Sequence, residues 1–296
     1  MKNWRPFLES LRPRQWTKNL LLFAGLIFAK KVGDLDCLAR AVAGAAVFCL
    51  SSGVIYVLND VVDRELDRLH PDKRNRPIAS GRLPVRAGVS LGFQLLVGCL
   101  VAASFFGMPF LASVAFFFFW NWLYTRWLKK VPILDVTGIG MSFVIRAVAG
   151  VMVLLPGCPK VGISVWLLLC TFFLSLYLGF CKRRDEFMKV ETADGKSRPV
   201  LRGYTEPMLD SLIGISLGLT MVMYSLYTVW PHTVAEFGTR NLVYTVPLVL
   251  LGLGRYQYLV YKEKMGGKPH EILLSDFILQ VVVIFWACAA VWVIGI

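Results

Sequence analysis

Nine stretches of about 20 mostly apolar residues run through this chain, near 16–34, 38–58, 87–106, 108–127, 133–155, 162–181, 208–230, 242–260 and 272–295. In a bilayer such a stretch must satisfy its backbone N–H and C=O groups internally, and a helix does so within one segment. The 296 residues are 56% hydrophobic and 17% charged, so the apolar surface exceeds what a soluble domain of this length could hide. The sequence predicts an all-α integral membrane protein with about nine transmembrane helices, forming one domain over 1–296. The first stretch has a short uncharged core, which also suits a tilted or interfacial helix. Lys30-Lys31 stands where a secretion signal would carry small residues for cleavage, so the N-terminal segment is expected to be retained.

Orientation follows from the distribution of Lys and Arg. Of the 32, 26 fall at one face, in residues 1–19, 59–86, 126–130, 182–207 and 255–271. The opposite face holds Lys30, Lys31, Arg40, Lys160 and Arg240, and Arg146 lies inside the fifth stretch. The N-terminus and the long loops 59–86, 182–207 and 261–271 are therefore expected to be cytoplasmic, in an inner (plasma) membrane. An odd number of spans puts the C-terminus on the other side. The net charge of +13 is explained by this orientation and by anionic lipid, with no nucleic acid partner needed. The seven cysteines include no CxxC pair and no Cys/His spacing suited to zinc, and are read mostly as small core hydrophobes.

Asn59 to Leu83 places five acids and six bases directly behind an uncharged stretch. Asn59, Asp63 and Asp67 recur every fourth residue, so a helix continuing past Leu58 would carry them on one face. Three oxygen ligands so arranged suit Mg²⁺, a hard cation that takes one or two carboxylates and completes its shell with water and phosphate oxygens. Asp60 and Glu65 lie off this stripe. The bland reading of the same residues is a solvated helix end, with Asp63 and Asp67 paired to Arg64 or Arg68. Lys73-Arg74-Asn75-Arg76 follows, and bases beside a metal face suggest a polyanion such as pyrophosphate.

Other candidates flank the spans at the same face. Arg14 and Lys18 lie in the opening Leu11-Arg12-Pro13-Arg14-Gln15-Trp16-Thr17-Lys18-Asn19, where snorkelling anchors are the ordinary alternative. Tyr124, Lys129 and Asp135 bracket the junction of the fourth and fifth spans, and Lys182, Arg183 and Glu186 follow the sixth, with Arg198 further along that loop. An arginine inside a span, Arg146, is costly and marks a site or its support. His70, His232 and His270 fall in loops or at boundaries and are not expected to be catalytic. The aromatic run Phe116–Trp120 can line a groove for a lipid tail, though such runs usually face lipid or core.

The Asn59-Asp-x-x-Asp63-x-x-x-Asp67 motif, the Arg-Pro-Arg-Gln-Trp-x-Lys-Asn opening and the Tyr124…Lys129…Asp135…Arg146-Ala-x-Ala-Gly150 run resemble the UbiA superfamily of intramembrane prenyltransferases over nearly the whole chain. That resemblance implies helices around a central cavity open to cytoplasm and sideways to lipid, with Mg²⁺ as cofactor. Members that alkylate aromatic rings usually carry a second acidic pair, DxxxD, after the sixth span. Here that position reads Lys182-Arg183-Arg184-Asp185-Glu186, followed by Ser197-Arg198-Pro199, which looks like the branch that transfers phosphoribose to decaprenyl phosphate. The implied substrates are a polyprenyl phosphate and 5-phosphoribosyl 1-pyrophosphate. Asn59, Asp63 and Asp67 are the expected metal ligands, and Arg14, Lys18, Lys73, Arg74, Tyr124, Lys129, Arg146, Lys182, Arg183, Glu186 and Arg198 the expected substrate-binding set. Two alternatives remain: an aromatic-acceptor prenyltransferase on the same fold, and a transporter or lipid flippase, against which the gathering of charge at one face argues.

Overall fold

A computed structural model describes residues 4–69, 73–158, 161–191, 199–263 and 269–295. Eight long helices dominate it: α1 Leu35–Val62, α2 Val85–Ser104, α3 Met108–Arg126, α4 Leu134–Met152, α5 Val165–Glu191, α6 Glu206–Val229, α7 Val246–Lys262 and α8 Phe277–Ile294. All but α7 are long and apolar enough to cross a membrane, giving seven such helices among the described residues where nine spans were expected. The two departures are local. Residues 13–23 wind as a 3₁₀ helix, with Pro13 in its first turn, ahead of a short α-helix, Ala24–Phe28. The 242–260 stretch divides into a 3₁₀ turn, Asn241–Thr245, and α7, where Pro247 suits a first turn but not a helix interior.

The chain forms two compact units, Met1–Arg126 with Ile145–Ile163, and Trp127–Val144 with Ser164–Ile296. In the first, α1 is central and mostly buried, whereas α2 and α3 are largely exposed at its flanks. Asp34 caps its start by accepting from the backbone N–H groups of Asp36 and Cys37. The 3₁₀ segment, α2 and α3 pack on it. Gly150 of α4 meets the 3₁₀ segment so closely that a Cβ there would collide with the Leu22 carbonyl. Gly150→Ala is therefore expected to cost about 1–3 kcal/mol, read as a lower melting temperature in detergent; an unchanged melting temperature would rule out this close approach.

In the second unit, α5 and α6 make the most extensive packing, with α7 and α8 alongside. Its core gathers Val136, Tyr177, Phe180, Leu209, Ile213, Tyr256 and Leu279. Outward-facing residues on both units remain apolar, among them Phe93, Phe105, Phe119, Phe285 and Trp292, as lipid contact requires. The aromatic run of α3 divides accordingly: Phe117 is fully buried against Phe48, while Phe116 and Phe119 face outward. The cysteines add a feature that their spacing does not announce. Two cysteines read as core hydrophobes, Cys37 and Cys158, are joined by a disulfide, while the other five are free.

Candidate active site

The acid-rich motif sits where α1 ends. The helix stops at Val62, Asp63 forms its C-cap and a short helix, Arg64–Leu69, follows. The hydrogen-bond ladder nonetheless runs on, Asp63 N–H to the Asn59 carbonyl and Asp67 N–H to the Asp63 carbonyl, both at 2.8 Å. Asn59 and Asp63 are half-buried at this end, and the Asn59 amide oxygen accepts from the Thr125 hydroxyl at 2.7 Å. Carbonyl groups at a helix C-terminus carry partial negative charge, which adds to the attraction for a cation.

Asp67, the third member of the expected stripe, is held by a partner of its own. It is buried and accepts from Arg76 at 2.6 Å, and Arg76 also reaches Asp60 at 3.0 Å. Asp60, placed off the stripe by spacing, is itself 2% exposed and takes Arg12 as a second partner on the same oxygen. Residues 60 and 67 are seven apart, two helical turns, so they share a face of their own. The result is an open chain of three ion pairs, Arg12–Asp60–Arg76–Asp67, called the ionic box below. The bland pairing of Asp67 with Arg64 or Arg68 is not what forms. Burial lowers the Arg12 pKa from its ordinary value against the opposing pull of Asp60, and a guanidinium stays charged nonetheless. Arg12 adopts a left-handed backbone, φ 52°, which costs a non-glycine residue energy and persists only where surroundings hold it.

The box folds the loop after the short helix back onto the end of α1. Ile78 is fully buried with Leu11, Val57 and Leu83, Arg68 donates to the Ala79 carbonyl at 3.0 Å, and Gly81 at φ +81° makes the turn. Lys73 and Arg74 start this anchored loop, half-buried and exposed respectively. Arg14 and Lys18 are exposed on the 3₁₀ segment, where residues four apart no longer eclipse as they would on an α-helix. Lys18 donates to Gln15 at 2.7 Å. Asn19, next to it, is buried: its side-chain oxygen accepts from Arg146 Nε at 2.8 Å and from Ser52 at 3.4 Å. Arg146 also stacks over Phe117, 4.8 Å from the ring centre. So Arg146, expected to touch substrate, is built into the core of its unit, and Asn19 is the partner that sequence reasoning passed over.

In the second unit, the basic run after the sixth span is mostly consumed by its own carboxylates. Arg183, expected on a phosphate, is 3% exposed at its side chain and donates to Asp135 at 2.6 Å and Glu186 at 2.7 Å. Arg184 binds Asp210 and Glu206 at 2.6 and 2.7 Å and lies over the Tyr261 ring, and Lys189 binds Asp185 at 2.7 Å. Lys182, Lys129 and, in the first unit, Tyr124 are half-buried. Arg198 lies outside the described residues, as does His70; His232 is exposed. The Tyr204 hydroxyl donates to Asp135 at 2.6 Å and accepts the Ile133 N–H at 2.6 Å. Burial, then the bond to Asp135, pushes the Tyr204 phenol well above its usual range, so it remains a donor at any working pH. Ile133 has φ +69°, an outlier for a β-branched residue, held where the loop bearing Lys129 enters α4.

No group of three or more His, Cys, Asp or Glu forms a metal cage among the described residues. The oxygen-only donors Asn59 and Asp63 fit a different kind of site, one in which Mg²⁺ takes few protein ligands and shares phosphate oxygens. Asp60 Oδ2 is buried with no hydrogen-bond partner among the described residues, while its other oxygen is taken by Arg12 and Arg76.

The UbiA prenyltransferase family model matches residues 20–269. The decaprenyl-phosphate phosphoribosyltransferase of Mycolicibacterium smegmatis is 31% identical over 94% of this chain and 89% of its own length. The protein of the same name from Corynebacterium glutamicum is 29% identical over 98% and 86%. A UbiA homolog from Archaeoglobus fulgidus, solved with GPP and Mg²⁺, has the same fold, with a TM-score of 0.70 at 20% identity, covering 98% of this chain and all of that one. This chain belongs to the UbiA prenyltransferase family.

Proposed function

We propose that this membrane transferase moves 5-phosphoribose from 5-phosphoribosyl 1-pyrophosphate to a polyprenyl phosphate, decaprenyl phosphate in its named relatives, and releases pyrophosphate. The observation that carries the reading is the end of α5. Asp185 and Glu186, the acids in place of a second DxxxD pair, are each held in an ion pair, so they do not stand as a second metal site. A lipid monophosphate acceptor has no need of one. A prenyl diphosphate donor with an aromatic acceptor is the weaker reading for that reason.

Asn59 and Asp63 would hold Mg²⁺ on the donor pyrophosphate, with Asp67 supporting through the ionic box. When bound, Mg²⁺ neutralises negative charge developing on the leaving group. Lys73 and Arg74 bind pyrophosphate oxygens, helped by Arg14 and Lys18 from the opening segment. Lys182, with Lys129, Tyr124 and Arg198, serves the donor 5-phosphate or the lipid phosphate. The lipid phosphate is anionic near neutral pH and attacks C1 opposite the departing pyrophosphate, with inversion and without a general base. Arg183, Glu186 and Arg146 act as positioning residues. Purified protein given the donor, Mg²⁺ and a polyprenyl phosphate should release pyrophosphate only when the lipid phosphate is present; release that requires an isoprenyl diphosphate and an aromatic acceptor would favour the other reading.

Nine crossings remain the proposed topology of a single domain in the plasma membrane. At about 2.0 Å per residue the 3₁₀ segment spans about 22 Å, and Ala24–Phe28 adds about 7 Å, enough for a hydrocarbon core. The majority face of Lys and Arg is cytoplasmic, and with it the acid-rich end of α1.

The loop bases should act with the acids as one unit. Arg74→Ala is expected to lower kcat/KM by about 10- to 150-fold, the range of one charge-assisted contact. Asp63→Ala/Arg74→Ala should be little worse than Asp63→Ala alone, because both residues act on the same charge. Fully additive losses would assign Arg74 to a separate phosphate.

A further inference from the structure

We propose that the Cys37–Cys158 disulfide is installed on the non-cytoplasmic side of the membrane and staples α1 to the segment following α4, at the end of α1 opposite the acid-rich motif. The two residues are 121 apart in sequence, with Cα atoms 5.9 Å apart, and both are buried. They close a packed seam. Cys37, Arg40 and Gly44 share one face of α1 at helical spacing. Against them lie Cys158, Gly157 and Val153 in turn: a Cβ on Gly44 would press on Val153 at 2.8 Å, and one on Gly157 would collide with the Arg40 guanidinium. Further along the same helices Arg146 donates to Asn19 and, at 3.5 Å, to Ser52 of α1. One covalent and one polar tie therefore hold the same pair of segments.

The side of the membrane follows from distance and chemistry. From Cys37 to Asn59 α1 advances 22 residues, about 33 Å, the thickness of a hydrocarbon core, so the staple and the acids open to different compartments. Structural disulfides persist where thiols are not kept reduced, which is outside the cytoplasm. The loops bearing the pair carry the minority of basic residues, Lys30, Lys31 and Lys160, in agreement. Formation removes two protons and two electrons from the two thiols. The electrons pass by exchange, through a mixed disulfide, to the disulfide of an extracytoplasmic protein oxidant, which leaves as a dithiol. The inference rests on the proposed topology.

The test is thiol trapping of the intact protein, denatured in detergent with an alkylating reagent, followed by peptide mass mapping. Protein from wild-type cells should show Cys37 and Cys158 cross-linked and the other five cysteines alkylated. Protein from cells lacking the extracytoplasmic thiol oxidant should be alkylated at all seven. Reduction, or the variant Cys37→Ser/Cys158→Ser, should lower the melting temperature by about 3–7 °C. Alkylation of Cys37 and Cys158 in untreated wild-type protein overturns the proposal, and so does equal cross-linking without the oxidant. Transfer is assayed on the same preparation. In untreated wild-type protein, activity without the cross-link sinks only the staple, and a cross-link without activity sinks only the transferase reading.

Discussion

Asp63→Ala is expected to lower phosphoribosyl transfer about 100-fold or more, which corresponds to about 2.7 kcal/mol of transition-state stabilisation, while leaving the melting temperature in detergent unchanged. Asp63 is a half-buried C-cap, so its carboxylate contributes little to packing and much to the field at the mouth of α1. Asp60→Ala should behave in the opposite way. Its carboxylate is enclosed between Arg12 and Arg76, and removing it leaves two cations facing each other across a buried gap. Breaking a buried pair costs about 3–5 kcal/mol; with the arginine side chains 23% and 27% exposed, about 2–3 kcal/mol is the better expectation. The measurements are pyrophosphate release at saturating Mg²⁺ and thermal unfolding of the same preparations. Near-wild-type turnover of Asp63→Ala would remove it from the metal site, and an unaltered melting temperature for Asp60→Ala would dissolve the ionic box.

Spacing alone pointed to Asn59 and Asp63 because a short count along one helix needs nothing from elsewhere in the chain. It did not reveal the Asp67 ion pair, because a period of four drifts from the true period of 3.6 and the partner, Arg76, sits on a loop whose return path depends on Ile78 finding the core. Apolar length located every long helix. It did not show that the first and eighth stretches each divide into a 3₁₀ and an α part. Arg146 announced itself by sitting charged within a span, whereas Asn19, 127 residues away, became its partner only through tertiary packing. The disulfide was beyond sequence reading for the same reason: seven cysteines with no paired spacing leave the connectivity open.

The basic run at the end of α5 supplies the other large effect. Charge counting treats Lys182 and Arg183 alike, yet Arg183 lies between Asp135, fully buried, and Glu186. Arg183→Ala is expected to destabilise the protein by about 3–5 kcal/mol, since it strands a buried carboxylate that, among the described residues, only Tyr204 then supports. Lys182→Ala should keep the wild-type melting temperature and weaken binding of the phosphoribosyl donor by about 10- to 150-fold in calorimetry. The double variant Asp135→Ala/Arg183→Ala separates structure from binding. With both charges gone no buried ion is left unpaired, so it should melt above either single variant, a coupling that an arginine held only by substrate would not produce. Simple addition of the two losses would mean that the pair does not form, and would return Arg183 to the substrate phosphate.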